Sequence, residues 1–317
     1  MKLDYLGWAG HGNLGDDGCL RAIRDLAAPV EIEQTAEPIG RTCILGGGTL
    51  IYGRPWLESA TMALRRGAEI VVFGTGVDLS TPLPRWDPGR RAAWGRVIAA
   101  TRFVGVRGPE SLEAVRALGA ENARVIGDPA LSLGTCRNPR CEDHRRDLVL
   151  VSGGSDYVPG CGRRRIVEVL GETIEWLRGA GMRVEYLPLR PNDLLHGKAL
   201  IERFGLPVVP RGLPGVLQRI RCAHLVVSLR LHGAVFAAAC GVPFVSLGYR
   251  PKCRDFTRSV DGVCLPTATL DHGRLRASIE RIEAEYDEVA TRLNARSQAY
   301  RELQKETMRV ACSRRVV

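Results

Sequence analysis

Again and again in the first half of this chain a short apolar run ends in a glycine-rich turn and gives way to helical patterning. Residues 2–6 lead into Gly7-Trp8-Ala9-Gly10-His11-Gly12-Asn13-Leu14-Gly15-Asp16-Asp17-Gly18. Residues 42–45 lead into Gly46-Gly47-Gly48-Thr49-Leu50, and 69–73 into Gly74-Thr75-Gly76-Val77-Asp78. Residues 103–107 lead into Gly108-Pro109-Glu110-Ser111, and 124–126 into Gly127-Asp128-Pro129. Strands that alternate with helices imply a parallel sheet covered on both faces. Residues 134–147 are polar and contain proline, as a linker does. A second series then begins, with strands expected at 148–151, 183–187, 225–229 and 244–247 and a helix at about 164–177. A length of 317 residues accommodates two domains of ordinary size.

The segment from about 270 to 310 differs. It is charged, and Leu275, Ile279, Ile282, Tyr286, Val289 and Leu293 recur at helical spacing, which predicts one long helix with a single apolar stripe. The stripe falters after Leu293, so packing against its own domains is expected over a coiled-coil seam. The run from Leu231 to Tyr249 carries no formal charge besides His232, but it holds three glycines and Pro243. A buried helix followed by a strand is expected there, not a lipid-facing span.

Only four of the 45 basic residues are lysine, and the net charge is +10. That balance favours anionic ligands: phosphorylated metabolites, acidic glycans or an anionic membrane surface. Scattered arginines, 6% aromatics and the lack of a recognition-helix or zinc-finger pattern argue against nucleic acid. The chain begins with a strand pattern instead of a signal peptide, so its ten cysteines are expected as reduced thiols in a cytoplasmic protein. Cys136, Cys141 and His144 are clustered, with Cys161 beyond, but their spacing fits no standard zinc knuckle.

Four places carry chemistry. Gly10-x-Gly12-x-x-Gly15 matches the dinucleotide fingerprint, and Glu33 stands about where a ribose-binding acid would fall. Asp16 and Asp17 follow at once, however, and two carboxylates at a helix N-terminus would repel a pyrophosphate seated on the same amides. Helix-start acids or sugar-hydroxyl ligands suit them better. Gly46, Gly47, Gly48 and Thr49 let backbone approach a ligand closely and leave amides to donate. Arg107 ends an apolar strand, with Asp128 or Glu110 as the ion-pair partner if its role is structural. The fourth place is Ser228-Leu229-Arg230-Leu231-His232-Gly233, at a strand-to-helix turn. A permanent cation and an imidazole two residues apart are suited to holding an anion and moving a proton beside it.

Taken together, these segments resemble the polysaccharide pyruvyl transferase family. The resemblance rests on Gly12-Asn13-Leu14-Gly15-Asp16-Asp17, Gly46-Gly47-Gly48-Thr49-Leu50, Val106-Arg107-Gly108-Pro109-Glu110-Ser111 and Asp128-Pro129-Ala130. It continues through Ser228-x-Arg230-Leu231-His232-Gly233 and Gly241-Val242-Pro243 to Lys252. It implies an α/β, GT-B-like architecture of two Rossmann-like domains facing a cleft, here at 1–140 and 147–270, with the long helical segment at 271–310. It implies transfer of the pyruvate unit of phosphoenolpyruvate onto a sugar diol as a cyclic ketal, with release of phosphate. Arg107 and Arg230 match the family's donor-binding arginines and His232 its catalytic histidine. Asn13, Asp16, Asp17, the Gly46–Thr49 stretch and Lys252 fall in ligand-loop positions.

No metal or cofactor is required on this scheme; phosphoenolpyruvate is a co-substrate. The acceptor is expected to be a glycan, a lipid-linked glycan or another diol, which leaves room for peripheral contact with the inner membrane face. The Gly74–Asp78 turn lacks the Gln or His common in the family, so no residue there is carried over. A GT-B glycosyltransferase with a nucleotide-sugar donor is the competing reading.

Overall fold

A computed structural model describes residues 2–40, 42–134, 147–154 and 162–313. The chain divides into two compact units. The first is Met1–His11, Asp16–Ser132 and Gln298–Val317; the second is Gly12–Gly15 and Leu133–Ser297. Cys136, Cys141, His144 and Cys161 lie outside the described residues.

In the first unit, β1 (Lys2–Leu6), β2 (Glu31–Gln34), β3 (Thr42–Gly46), β4 (Glu69–Thr75), β5 (Phe103–Val106) and β6 (Arg124–Val125) form one sheet in the order β2-β1-β3-β4-β5-β6. Every pairing is parallel. The chain steps outward from β1 to β2, returns to the other side of β1, and proceeds to β6. That reversal between β1 and β3 is a topological switch point, the place where open α/β sheets hold ligands. The helices are α1 (Leu14–Ala27), α2 (Arg54–Arg65), α3 (Pro88–Ala99) and α4 (Pro109–Ala117). Alternate strand residues fill two cores. Leu6, Leu45, Ile70, Val72 and Val106 lie in one, and Tyr5, Ile44, Val71 and Phe73 in the other, as a side-chain period of two requires.

The second unit repeats the walk. β7 (Leu148–Ser152), β8 (Arg183–Tyr186), β9 (Leu225–Ser228), β10 (Phe244–Gly248) and β11 (Val263–Pro266) stand in the order β11-β10-β9-β7-β8, again all parallel. Its switch point lies between β7 and β9. The helices are α5 (Gly162–Gly179), α6 (Asn192–Phe204), α7 (Leu213–Arg221), α8 (Leu231–Ala239), α9 (Pro251–Ser259) and α10 (His272–Ala284). β7 and β9 are buried at every position, as central strands covered on both faces must be. β2 and β11 are absent from the expected strands, and both are edges. One residue of β2 is buried and none of β11, so neither carries much apolar signal.

The uncharged run resolves into α8, all nine residues buried, then Gly241 at φ +67°, then β10. No helix among the described residues is long and apolar enough to cross a membrane. The C-terminal stripe is split: α10 ends at Glu285 and α11 (Tyr286–Cys312) follows. Leu275, Ile279, Ile282, Tyr286 and Leu293 are all buried, so the stripe packs on its own chain. Beyond Leu293 the covered face of α11 turns polar, which is why the apolar spacing fails there. In the second unit Ser297 Oγ donates to the Ala238 carbonyl at 2.9 Å. In the first, Gln304 Nε2 donates to the carbonyls of Ile126 and Asp128, each at 2.9 Å.

Cys19, Cys43, Cys240, Cys253, Cys264 and Cys312 are free thiols, but Cys222 is disulfide-bonded. That corrects the expectation of thiols throughout. A disulfide depends on the approach of two Cα atoms in space, which spacing along the chain does not reveal.

Candidate functional site

Arg107 follows β5 directly and its side chain is fully buried. Its amide donates to the Thr75 carbonyl at 3.0 Å. Its guanidinium donates from Nη1 to the Gly48 carbonyl at 2.7 Å and from Nη2 to Thr49 Oγ1 at 3.2 Å. Nε has no hydrogen-bond partner among the described residues. Asp128 Oδ2 stands 3.9 Å from Nη1, a long ion pair between two fully buried groups. The glycine-rich turn is therefore wrapped around this cation. Gly47 and Gly48 take φ of +69° and +59°, the left-handed region in which a Cβ is strained.

Asp128 Oδ1 accepts from the Ala130 amide at 3.0 Å and the Cys19 thiol at 3.4 Å. Burial, reinforced by the Asp128 and Asp16 carboxylates, pushes the Cys19 thiol well above its ordinary range. Tyr5, whose hydroxyl donates to the Gly46 carbonyl at 2.7 Å, is pushed up mainly by burial. Both stay neutral beneath the turn.

Gly76 makes room for Arg107. A Cβ there would fall 2.2 Å from Nη2 and 2.8 Å from Cζ, so the guanidinium would have to leave the Gly48 carbonyl. Gly76→Ala is expected to destabilise the protein by about 1–3 kcal/mol, the usual cost of overpacking. Urea denaturation measures it; an unchanged midpoint would show that Arg107 has another place to go.

The Gly10–Gly15 turn also meets its own chain. The Gly10 amide donates to Asp17 Oδ1 at 2.7 Å, so a carboxylate of this protein occupies a donor that a pyrophosphate would need. Glu33 lies on β2 and pairs with Lys2. Asp16 is buried in the first turn of α1. Asn13 Oδ1 accepts from the Gly15 amide at 3.3 Å.

In the second unit Arg230 is the N-cap residue of α8, with φ −76° and ψ 130°, and is 9% exposed. Nε and Nη2 both donate to Asp193 Oδ1, at 3.0 and 2.5 Å. Asp193 Oδ2 accepts from the Leu189 and Arg190 amides at 2.9 and 3.0 Å. The carboxylate is thus saturated on one side by backbone and on the other by Arg230, which fixes the direction of the guanidinium. His232 lies in the first turn of α8, 8% exposed, with its ring 5.9 Å from that of Phe236. Gly15 is the floor of its pocket: a Cβ there would lie 2.0 Å from His232 Nδ1. Gly154, after β7, does the same for Asp193, at 2.8 Å. Lys252 lies in the first turn of α9, half-buried, with Nζ 5.6 Å from the Tyr249 ring centroid.

Within the first unit Gly46, Gly47, Gly48, Thr49 and Arg107 come together, with Asp16 3.4 Å from the Cβ position of Gly48. Within the second, Gly15 lies against His232, with Arg230 two residues away. Sequence reading missed Asp193, and its only signal is an acid in the first turn of a helix after a proline. It also missed Gly76 and Gly154, which no periodicity marks. A cavity of about 610 Å³ in the second unit, lined by β11, α10 and α11, includes none of these residues.

Solved structures share the fold. Anabaena HepE, in complex with UDP-glucose, superposes with a TM-score of 0.57 at 15% identity, covering 98% of both chains. The UDP-GlcNAc 2-epimerase of Neisseria meningitidis, bound to UDP-GlcNAc, gives 0.61 at 9% identity over 98% of this chain and 100% of that one. S. aureus MnaA, in a structure with UDP, gives 0.63 at 9% identity over 94% and 92%. The fold is GT-B-like, and such distant likeness speaks to fold alone. No curated protein matches the chain by sequence. The profile of the polysaccharide pyruvyl transferases does match, over residues 31–251, a span that holds the glycine-rich turn, Arg107, Asp193, Arg230 and His232. The chain belongs to the polysaccharide pyruvyl transferase family.

Proposed function

We propose that this protein transfers the pyruvate unit of phosphoenolpyruvate to two hydroxyls of a glycan or glycan precursor, forming a cyclic ketal and releasing phosphate. The observation that carries the reading is the pairing of a carboxylate-fixed arginine, Arg230, with an imidazole two residues on, in the first turn of a buried helix. Arg230 would take an anionic group of the donor, and His232 would give a proton to the C3 methylene. C2 then carries positive character and the first sugar hydroxyl attacks it. The second hydroxyl attacks the same carbon as the C2–O bond to phosphate breaks, and phosphate leaves with the electron pair. Of the two hydroxyl protons, one restores His232 and the other leaves with phosphate.

The family resemblance also makes Arg107 a donor-binding arginine; because Gly48 and Thr49 cover its guanidinium, that role requires the glycine-rich turn to move aside. The competing reading, a nucleotide-sugar glycosyltransferase, draws support from fold neighbours solved with UDP-sugars.

The two readings part in one assay. With phosphoenolpyruvate and a panel of glycans, acceptor-dependent phosphate release and an acceptor heavier by one pyruvate less water are expected. Release of UDP from a sugar nucleotide, with phosphoenolpyruvate untouched, would sink the first reading.

A further inference from the structure

The starts of α5 and α6, in the second unit, form a surface that nothing above uses. Both helices follow parallel strands, so both begin at the carboxyl edge of the sheet. α6 leads from β8 to residues 207–209, which run parallel beside that strand. The Tyr186 amide donates to the Pro207 carbonyl at 2.8 Å, and the Val209 amide to the Tyr186 carbonyl at 2.9 Å. The two helices lie side by side: Arg203 Nη2 donates to Glu175 Oε1 at 2.8 Å, and Arg178 Nη1 to the Phe204 carbonyl at 2.6 Å. Nine residues before Arg203 and Glu175 stand Leu194 and Ile166, so the first turns of α6 and α5 are at one height.

That height holds apolar side chains in water among unbalanced positive charge. Leu195 is 70% exposed and Leu194 38%; the covered side of α6 is made by Asp193, His196, Gly197 and Leu200 instead. α5 opens with Arg163, Arg164 and Arg165, all exposed, and has no acid in its first turn. Among the described residues their acidic partner is Glu168, 2.9 Å from Arg164 and 3.9 Å from Arg165. Arg211 is exposed too. Its Nη2 lies 4.0 Å from the Cβ position of Gly12, and Pro191, just before α6, lies 3.2 Å from the same point. Farther along α6 the charges balance, Lys198 with Glu202 and Arg203 with Glu175. The free amides of a helix start favour acids, so three arginines there oppose the fold's own preference, and an anionic surface in front of them reverses the sign.

We propose that this surface docks the protein on an anionic lipid bilayer, with Leu194 and Leu195 dipping among the acyl chains and Arg163, Arg164, Arg165 and Arg211 at headgroup level. Two leucines are too little for the core of a stable protein interface, but with a basic collar they suffice for reversible membrane binding. Asp193, the neighbour of Leu194, aims Arg230, which couples the docked helix to the donor arginine. That docking serves a lipid-linked acceptor rests on the pyruvyl transferase reading; the binding itself does not. Flotation of the full-length protein with extruded vesicles tests it, using phosphatidylcholine alone and phosphatidylcholine with about 30% phosphatidylglycerol. The anionic vesicles should bind about fivefold better or more, and high salt should release the protein. Leu194→Ser/Leu195→Ser should weaken binding by about tenfold. Arg163→Gln/Arg164→Gln/Arg165→Gln should weaken it by about tenfold or more. Both variants change exposed side chains only, and a thermal melt checks their folding.

No flotation with anionic vesicles in low salt, equal binding to both vesicle types, or binding that the arginine variant leaves unchanged would overturn the proposal. So would loss in the arginine variant with none in the leucine pair, which would mark a contact with soluble polyanions instead of a bilayer. Vesicle binding with the expected variant pattern, in a protein that leaves phosphoenolpyruvate intact, would keep the docking surface and reject the transfer reading. Pyruvyl transfer to a glycan by a protein that ignores both vesicle types would do the reverse.

Discussion

His232→Ala is expected to lower kcat for phosphoenolpyruvate turnover by roughly 100- to 10,000-fold, the range that a positioned proton donor contributes. The donor KM should change far less, because the anion is assigned to Arg230. The complementary variant, Arg230→Ala, should raise the donor KM steeply. Steady-state phosphate release at saturating donor and acceptor separates the two effects. The histidine sits against Gly15 and is nearly covered, so its truncation leaves a small void. A thermal melt beside the kinetics keeps a folding defect from passing as a chemical one. An unchanged kcat in folded His232→Ala would remove the imidazole from the proton-transfer step.

Asp193→Ala should strongly destabilise the protein. It leaves the Arg230 guanidinium nearly buried with its carboxylate gone, and it leaves the Leu189 and Arg190 amides without their acceptor. Breaking a buried pair from one side typically costs about 3–5 kcal/mol. Asp193→Asn, which keeps an oxygen for the two amides, should cost less. Urea denaturation of the intact protein reads both. The same variants should raise the donor KM, since an arginine without its carboxylate loses its fixed direction. Equal stability of Asp193→Ala and the parent protein would mean that Arg230 is held by something else.

Where a residue's role is local, the amino-acid order was enough to find it. Apolar runs that end in glycine mark the central strands, because a strand covered on both faces has no polar positions to blur its pattern. The uncharged run through α8 and β10 was legible for the same reason: Gly241 and Pro243 break it at the right place. The edges β2 and β11 were not, since one buried residue in β2 and none in β11 leave little apolar signal. The single C-terminal helix proved to be two, broken at Glu285, and the apolar stripe could not report a covered face made of Ser297, Gln304 and Thr307.

Chemistry-bearing residues divide along the same line. Arg107, Arg230 and His232 could be nominated from their places at strand ends. Of what they touch, only Asp128 beside Arg107 was among the partners the amino-acid order offered. Arg107 is closed over by Gly48 and Thr49 because Gly76, more than 30 residues earlier in the chain, has no side chain to fill the space. Arg230 is aimed by Asp193, 37 positions away. Gly15, read in the sequence as part of a nucleotide fingerprint, turns out to be the floor beneath an imidazole.

Amino-acid order was sufficient for the alternation of strand and helix, the family, and the charged and titrating groups available at the sheet edges. Those follow from periodicity and residue type, which are properties of neighbours along the chain. Which glycine clears space for which side chain, and which carboxylate holds which arginine, came from the three-dimensional packing. Those depend on distances between segments far apart in sequence, and a one-dimensional pattern carries no record of them.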